Sequence, residues 1–222
     1  NGKPQIPQAM DPNEKTGPVG SGNPDTQRFV NPGETLNYVI YFENKADATA
    51  AAQEVTVTDQ LDSNLDWSTF ELGEVVFANQ MEDGLVGKRA GTELVAQTSS
   101  TLQVRVEASL DMETGTVRWY FRTVDPTTED GWPSDPRAGF LYPNDATHRG
   151  EGHVAFTIRS KASVAAQTRI TNKARIVFDT NAPIDTNEVF NTIAGQKAEQ
   201  ASQPHPFDGS TTATASTGLS WA

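Results

Sequence analysis

The sequence predicts an all-β protein, a β-sandwich with Greek-key connections, and two observations favour this fold class. Short runs in which apolar and polar residues alternate recur along the chain, as expected for strands that bury one face. Glycine, proline and Asx turns separate these runs, and helical periodicity is never sustained. With 222 residues, the chain is long enough for one large domain with appendages.

The strand-like runs begin at Phe29, and most of them alternate cleanly. Their apolar positions are Leu36, Tyr38, Ile40 and Phe42; Val55 and Val57; Leu102, Val104 and Val106; Val117, Trp119 and Phe121; and Val154, Phe156 and Ile158. Further strands are expected at 70–72, 73–78, 93–96, 170–178 and 189–193. The runs around 102–106 and 117–121 flank a turn and predict an antiparallel hairpin with one buried face.

Composition divides the chain into three parts. Residues 1–26 are rich in proline, glycine and Asx residues and predict an extended arm or linker, and residues 27–193 form the sandwich. Residues 194–222 predict a low-complexity linker followed by the truncated start of another sandwich domain. Within the sandwich, residues 125–152 form a long loop, a length typical of functional or disordered segments.

Charge and composition exclude several classes of function. The chain has 17 basic and 29 acidic residues, a net charge of −12, which argues against binding to nucleic acid or to an anionic membrane surface. It has no cysteine, which excludes disulfides and thiolate chemistry. No segment has the apolar length of a membrane span, so membrane insertion is not expected.

An oxygen-rich segment between the last two predicted strands suggests a calcium site. Ca²⁺ is bound by carboxylate, amide and backbone oxygens, and the arm can return to the same end of the domain. The alternative is that these side chains only make Asx turns and cap strand ends. The candidate ligands are Asp179, Asn181, Asp185 and Asn187, with Asp11 and Asn13 from the arm.

Other candidate sites are weaker. The run Asp62–Asp66 begins like an EF-hand loop, but Trp67 and Gly73 stand where that loop requires glycine and glutamate, so a turn is predicted. The histidines have no nucleophile–base setting, and we expect no enzyme. Trp132 and Tyr142 on the long loop either form a sugar-stacking pair or anchor the loop to the sandwich.

Several segments together resemble the immunoglobulin-like, conserved-repeat β-sandwich modules of large secreted bacterial surface proteins. The segments are 11–15, 32–44, 57–66, 150–156, 170–179 and 181–185. The resemblance implies an extracellular, adhesin-like, multidomain setting and a structural or adhesive role. Its implied partners are neighbouring domains of the same chain and a cell-surface glycan or protein. The run 179–183 is also similar to the inter-domain calcium linker of cadherins.

The resemblance also raises the hypothesis of an internal lysine–asparagine isopeptide bond. Related Gram-positive sandwiches join a first-strand lysine to a last-strand asparagine, assisted by a buried carboxylate. In this sequence Lys15 or Lys45, Asn191 and Asp59 are the candidates for those parts. The alternative is an ordinary solvated lysine.

Overall fold

The computed structural model describes residues 13–97 and 100–195, and these residues form strands joined by turns and loops. In chain order the strands are β1 Lys15–Thr16, β2 Phe29–Val30, β3 Thr35–Glu43, β4 Glu54–Gln60, β5 Leu65–Phe77, β6 Gln80–Glu82, β7 Ala90–Ala96, β8 Gln103–Asp111, β9 Thr116–Val124, β10 Glu151–Ser160, β11 Arg169–Asn172, β12 Ala174–Phe178, β13 Ile184–Asp185 and β14 Val189–Ile193. Within the described residues no helix is long and apolar enough to cross a lipid bilayer.

Two large sheets pack face to face. One has the strand order β1-β3-β10-β5-β6 and the other β13-β12-β4-β9-β8-β7, while β11-β14-β2 form a small third sheet. Aromatic side chains meet between the large sheets: Phe42 of β3 lies 5.4 Å from Phe121 of β9, and Phe156 of β10 lies 5.8 Å from Trp119 of β9, measured between ring centroids. The predicted all-β sandwich is confirmed.

Alternation along the strands builds this core. In β3 the even positions from Leu36 to Phe42 are buried, and in β9 the odd positions from Val117 to Phe121 are buried, so each strand turns one apolar face inward. The predicted hairpin is also present, since β8 and β9 pair antiparallel. Burial of these faces is the main favourable term for the fold.

One long strand replaces the two short ones predicted at 70–72 and 73–78. Gly73 lies inside β5, and a Cβ there would come within 2.9 Å of the Ala155 side chain on β10. The pairing of β5 with β10 changes register at this level. The glycine therefore allows two backbones to approach at a bulge, and it does not end the strand.

The single strand predicted at 170–178 is divided between two sheets. Residues up to Asn172 pair with β14, whereas residues from Ala174 onward pair with β4. Lys173, between them, is exposed. The chain thus crosses from the small sheet to a large one within one residue.

Part of the predicted arm belongs to the sandwich. Lys15 and Thr16 pair with Ile40 and Val39 of β3, and the Lys15 side chain is fully buried. The mostly polar composition of 1–26 gave no sign of this contact, because it depends on residues far along the chain. The predicted start of a further domain in 194–222 lies outside the described residues, apart from 194 and 195.

Apolar residues of the long loop anchor the loop to the sandwich. Phe140 and Leu141 are completely buried, and Phe140 stacks on Phe121 with 5.7 Å between the ring centroids. Backbone hydrogen bonds join Ala52 to Leu141 in both directions. The centre of the loop is therefore held against β9 and against the segment that precedes β4.

Candidate functional site

Among the predicted calcium ligands, Asp179 caps the beginning of β4. Its Oδ1 accepts hydrogen bonds from the backbone amides of Gln53 and Glu54, each at 2.9 Å. The residue itself has a positive φ of 48°, which Asx side chains tolerate better than most. One carboxylate oxygen is thereby engaged by the protein.

Asp185 is held by two cations on the surface. Its carboxylate lies 2.8 Å from the Arg175 guanidinium and 2.9 Å from the Lys173 ammonium. The hydrogen bonds from Arg175 and then from Lys173 hold the pKa of this carboxyl well below its ordinary value. All three side chains are substantially exposed.

Asn187 clamps the backbone of β1. Its Oδ1 accepts from the Lys15 amide at 2.8 Å, and its Nδ2 donates to the Lys15 carbonyl at 2.9 Å. Of the remaining candidates, the buried Asn13 Oδ1 has no hydrogen-bond partner among the described residues. Asn181 lines an open polar pocket beside Asp179, and Asp11 lies outside the part of the chain that the structure describes. Residues 13–97 and 100–195 contain no group of three His, Cys, Asp or Glu side chains arranged for a metal ion. Calcium binding stays a prediction.

The two candidate sugar-stacking residues have separate protein partners. The Arg122 guanidinium lies over the Trp132 ring at 4.0 Å, and the Arg149 guanidinium lies over Tyr142 at 5.3 Å. Both aromatic side chains are half-buried, and no ring contact joins them in the described part of the chain. Sugar stacking also stays a prediction.

A buried ion pair lies between the two large sheets. Lys15 on β1 contacts Asp59 on β4 through Nζ and Oδ2, and both side chains are completely inaccessible to solvent. Asp59 occupies the inward position that follows Val55 and Val57 along β4. Since β1 belongs to one large sheet and β4 to the other, the pair connects them.

Two aromatic rings lie beside the lysine amine. Nζ lies 4.9 Å from the centroid of Tyr38 and 4.9 Å from that of Phe156, and these two rings stack on each other. Burial lowers the pKa of Lys15, against the opposing effect of Asp59, which raises it. The site therefore favours a neutral amine far more than solvent does.

Asn172, at the end of β11, is a further buried polar residue. Among the residues that the structure describes, neither its Oδ1 nor its Nδ2 has a hydrogen-bond partner. Ala174, two residues on, is paired with Asp59, and Val189, opposite Asn172, is two residues beyond the Asn187 clamp on Lys15. The backbone positions on either side of Asn172 are therefore tied to Asp59 through Ala174 and to Lys15 through β14.

The residues predicted for an isopeptide bond lie in different environments in the structure. Lys15 and Asp59 meet in the core, whereas Lys45 is exposed. The Nδ2 of Asn191 donates to the backbone carbonyls of Pro18 at 3.1 Å and Arg28 at 3.0 Å. Asn191 therefore anchors the N-terminal segment, and its amide nitrogen is already engaged.

Sequence reasoning missed Asn172, although a signal for it exists. Ile170, Asn172 and Ala174 alternate, so the asparagine occupies a core position, just as Asp59 does after Val57. A polar residue in phase with the apolar face of a strand is a candidate for a buried polar site.

Solved structures with a similar fold are known, at low identity. The D2 and D3 domains of the major pilin SpaD from Corynebacterium diphtheriae are 14% identical with a TM-score of 0.46, over 80% of this chain and 51% of that one. For BcpA, the major pilin subunit of Bacillus cereus, identity is 18% and the TM-score 0.45, over 74% and 36%. For a collagen-binding domain from a Staphylococcus aureus adhesin they are 12% and 0.38, over 85% and 100%. The chain thus spans about half or less of the two pilin structures.

No curated protein matches the sequence significantly. One family model does match, over residues 11–87 and 139–192, which together are more than half of the chain. The matched segments contain Lys15, Asp59 and Asn172, and they omit the β7–β9 region and the first part of the long loop. The chain belongs to the family described as Domain of unknown function (DUF7619).

Proposed function

We propose that this chain is a non-enzymatic, load-bearing structural module of an extracellular, multidomain bacterial surface protein. Its partners would be the neighbouring domains of the same chain, together with a cell-surface protein or glycan. One observation carries the proposal: the first and last segments of the domain lie side by side and run in the same direction.

Contacts along the whole junction support that arrangement. Asn187 holds both backbone groups of Lys15, Gly17 packs against Val189, and Asn191 donates to the Pro18 carbonyl. Beyond these contacts β14 also pairs in parallel with β2, so the parallel arrangement continues to the end of β14. We call the segments 15–18 and 187–191 the terminal junction.

Two adjacent parallel segments are loaded in shear when the two ends of the domain are pulled apart. When the chain is stretched from both sides of the domain, the links of the terminal junction are loaded together in shear, so several must break at once. Forced unfolding is governed by the unfolding rate, and a barrier that requires simultaneous loss of several contacts lowers that rate. This is the mechanical property that a spacer domain needs.

Single-molecule pulling of the domain inside a polyprotein tests the proposal. We expect the double variant Asn187→Ala/Asn191→Ala to unfold at a clearly lower force than wild type. Lys45→Ala is the control, since Lys45 is exposed and lies outside the terminal junction; it should unfold at the wild-type force. Equal forces for wild type and the double variant would refute the load-bearing role.

Stabilisation by calcium is the finer part of this proposal. The supporting feature is the oxygen-rich turn around Asp179 and Asn181, which borders an open polar pocket. A ligand present at a hundred times its dissociation constant stabilises the folded state by about 2.7 kcal/mol. Melting in EGTA and in millimolar Ca²⁺ measures the effect, and an unchanged midpoint would remove calcium from the proposal.

Glycan recognition by the long loop is the second candidate function. The Trp132 ring is half-buried and covered on one face by Arg122, which would leave at most its other face for a sugar. A glycan array compares wild type with Trp132→Ala. Binding that the substitution abolishes would support this function, and sugar-independent signals would reject it.

A further inference from the structure

We propose that Lys15 and Asn172 become joined by an intramolecular amide bond that the folded chain forms by itself, with Asp59 as the proton-transferring group. This inference goes beyond the load-bearing role and does not rest on it. It assigns a covalent modification to the cluster between the two large sheets.

The first argument is the placement of the three side chains. Lys15 and Asp59 are in direct contact, and both are fully buried. Asn172 is two residues from Ala174, the pairing partner of Asp59, and both side chains turn inward. Val189, the pairing partner of Asn172 on β14, packs against the backbone two residues beyond Lys15.

The second argument is the unpaired amide of Asn172. Buried polar atoms are nearly always hydrogen-bonded, because an unpaired one loses its hydrogen bonds to water without replacement. Within residues 13–97 and 100–195, Asn172 has no partner for either polar side-chain atom, and Asp59 has none for Oδ1. An amide bond from Lys15 removes the Asn172 NH₂ group altogether and leaves a carbonyl to which a protonated Asp59 can donate.

The third argument is the state of the amine. Complete burial away from solvent favours the uncharged form of the lysine, which is the nucleophilic one. Asp59 is the acceptor in contact with Nζ, so it can take the proton that the ammonium releases.

The reaction balances without an external reagent. Lys15 Nζ passes a proton to Asp59 and attacks Cγ of Asn172, while the Asp59 carboxylic acid donates to Oδ1. The tetrahedral intermediate then collapses: the new Nζ–Cγ bond remains, the Cγ–Nδ2 bond breaks, and Nδ2 leaves with a proton from Nζ as ammonia. Nothing is oxidised or reduced, and Asp59 provides the local acid–base relay.

Asn191 is the competing acceptor, and its contacts argue against it. Its amide nitrogen donates to two backbone carbonyls, so loss of that nitrogen would break both hydrogen bonds to the N-terminal segment. Loss of Nδ2 from Asn172 breaks no hydrogen bond in the described part of the chain. Peptide mapping can distinguish the two candidate acceptors, because each predicts a different peptide linked to the one that contains Lys15.

Intact mass and peptide mapping of the 222-residue chain test the bond. We expect a mass about 17 Da below the sequence mass, from loss of ammonia, and one proteolytic ion that contains the peptides around both Lys15 and Asn172. The linked peptide is the deciding readout, because a succinimide at Asn1-Gly2 would lose the same mass. An unlinked wild-type chain, or a link from Lys15 to Asn191, overturns the proposal.

Variants then assign the roles. Asp59→Ala and Asn172→Ala should yield the full mass of their sequences without a linked peptide, whereas Lys45→Ala and Asn191→Ala should retain the link. Circular dichroism identifies which variants fold. If a core variant does not fold, the wild-type linked peptide still decides the question. A link that persists in folded Asn172→Ala contradicts the assignment.

Discussion

Two of the ion-paired aspartates, Asp185 and Asp59, differ in almost every physical respect. Asp185 lies on the surface between Arg175 and Lys173, whereas Asp59 lies in the core against Lys15. At Asp185 solvent screens the charges and the pair contributes little. At Asp59 removal of either partner leaves the other buried and unpaired.

The comparison shows that the number of charges in a cluster says little about how much the cluster contributes to stability. The surface cluster has more charged groups and a carboxyl pKa displaced well below its ordinary value. The core pair has fewer groups, but it connects the two large sheets and has no access to water. Burial makes the core pair the more consequential of the two.

The largest effect is expected for Asp59→Ala. This substitution leaves Lys15 buried without its partner, which costs about 3–5 kcal/mol of unfolding free energy. Urea denaturation should show a large fall in the midpoint. The double variant Lys15→Met/Asp59→Ala should recover part of that loss, since it removes the unpaired charge and keeps an apolar chain of similar length. No recovery in the double variant would contradict this account of the core pair.

An intermediate effect is expected for Asn187→Ala. The Asn187 side chain makes two hydrogen bonds to the Lys15 backbone near the surface, and a typical net value is about 1 kcal/mol each. Hydrogen exchange of the Lys15 amide should accelerate, because that amide donates to Asn187 Oδ1. If exchange at this amide matched wild type, the clamp would have no role in solution.

The smallest effect is expected for Asp185→Ala, with a urea midpoint close to wild type at neutral pH. The folded pKa of Asp185 is depressed, so any stabilisation is present above the ordinary aspartate pKa of about 3.9 and is lost only as pH falls through the folded value. An NMR titration of the side-chain carboxyl carbon should show Asp185 still ionised below that ordinary value. A midpoint at or above it would mean that Arg175 and Lys173 do not hold the carboxylate in solution.

Much of the fold is predictable from the sequence because strands of a sandwich bury alternate residues. Trp119 and Phe156 were identified as core residues from alternation alone, and both are buried. Gly73 was misread as a strand end, because only the partner strand shows that it allows a close approach to Ala155. The division at Lys173 was missed for the same reason, since each half has a different partner.

The candidate site was less predictable, because its chemistry depends on contacts between distant residues. Lysine is exposed by default, and nothing local to Lys15 shows that β3, β4 and β10 enclose it. Asp59 and Asn172 carried a clearer sign, since each occupies an inward position of an alternating strand. A cluster of acidic residues is easily recognised in a sequence. A single polar residue at the buried position of an alternating strand is harder to recognise.

The shared direction of the terminal junction also determines how copies of this domain would be arranged in a row. Because 15–18 and 187–191 run the same way, the chain enters the sandwich at one end and leaves it at the opposite end. When a tandem array of such domains is pulled taut, the length of each domain would therefore add to the total. The contour length of the folded array would grow in proportion to the number of copies, which single-molecule pulling can measure.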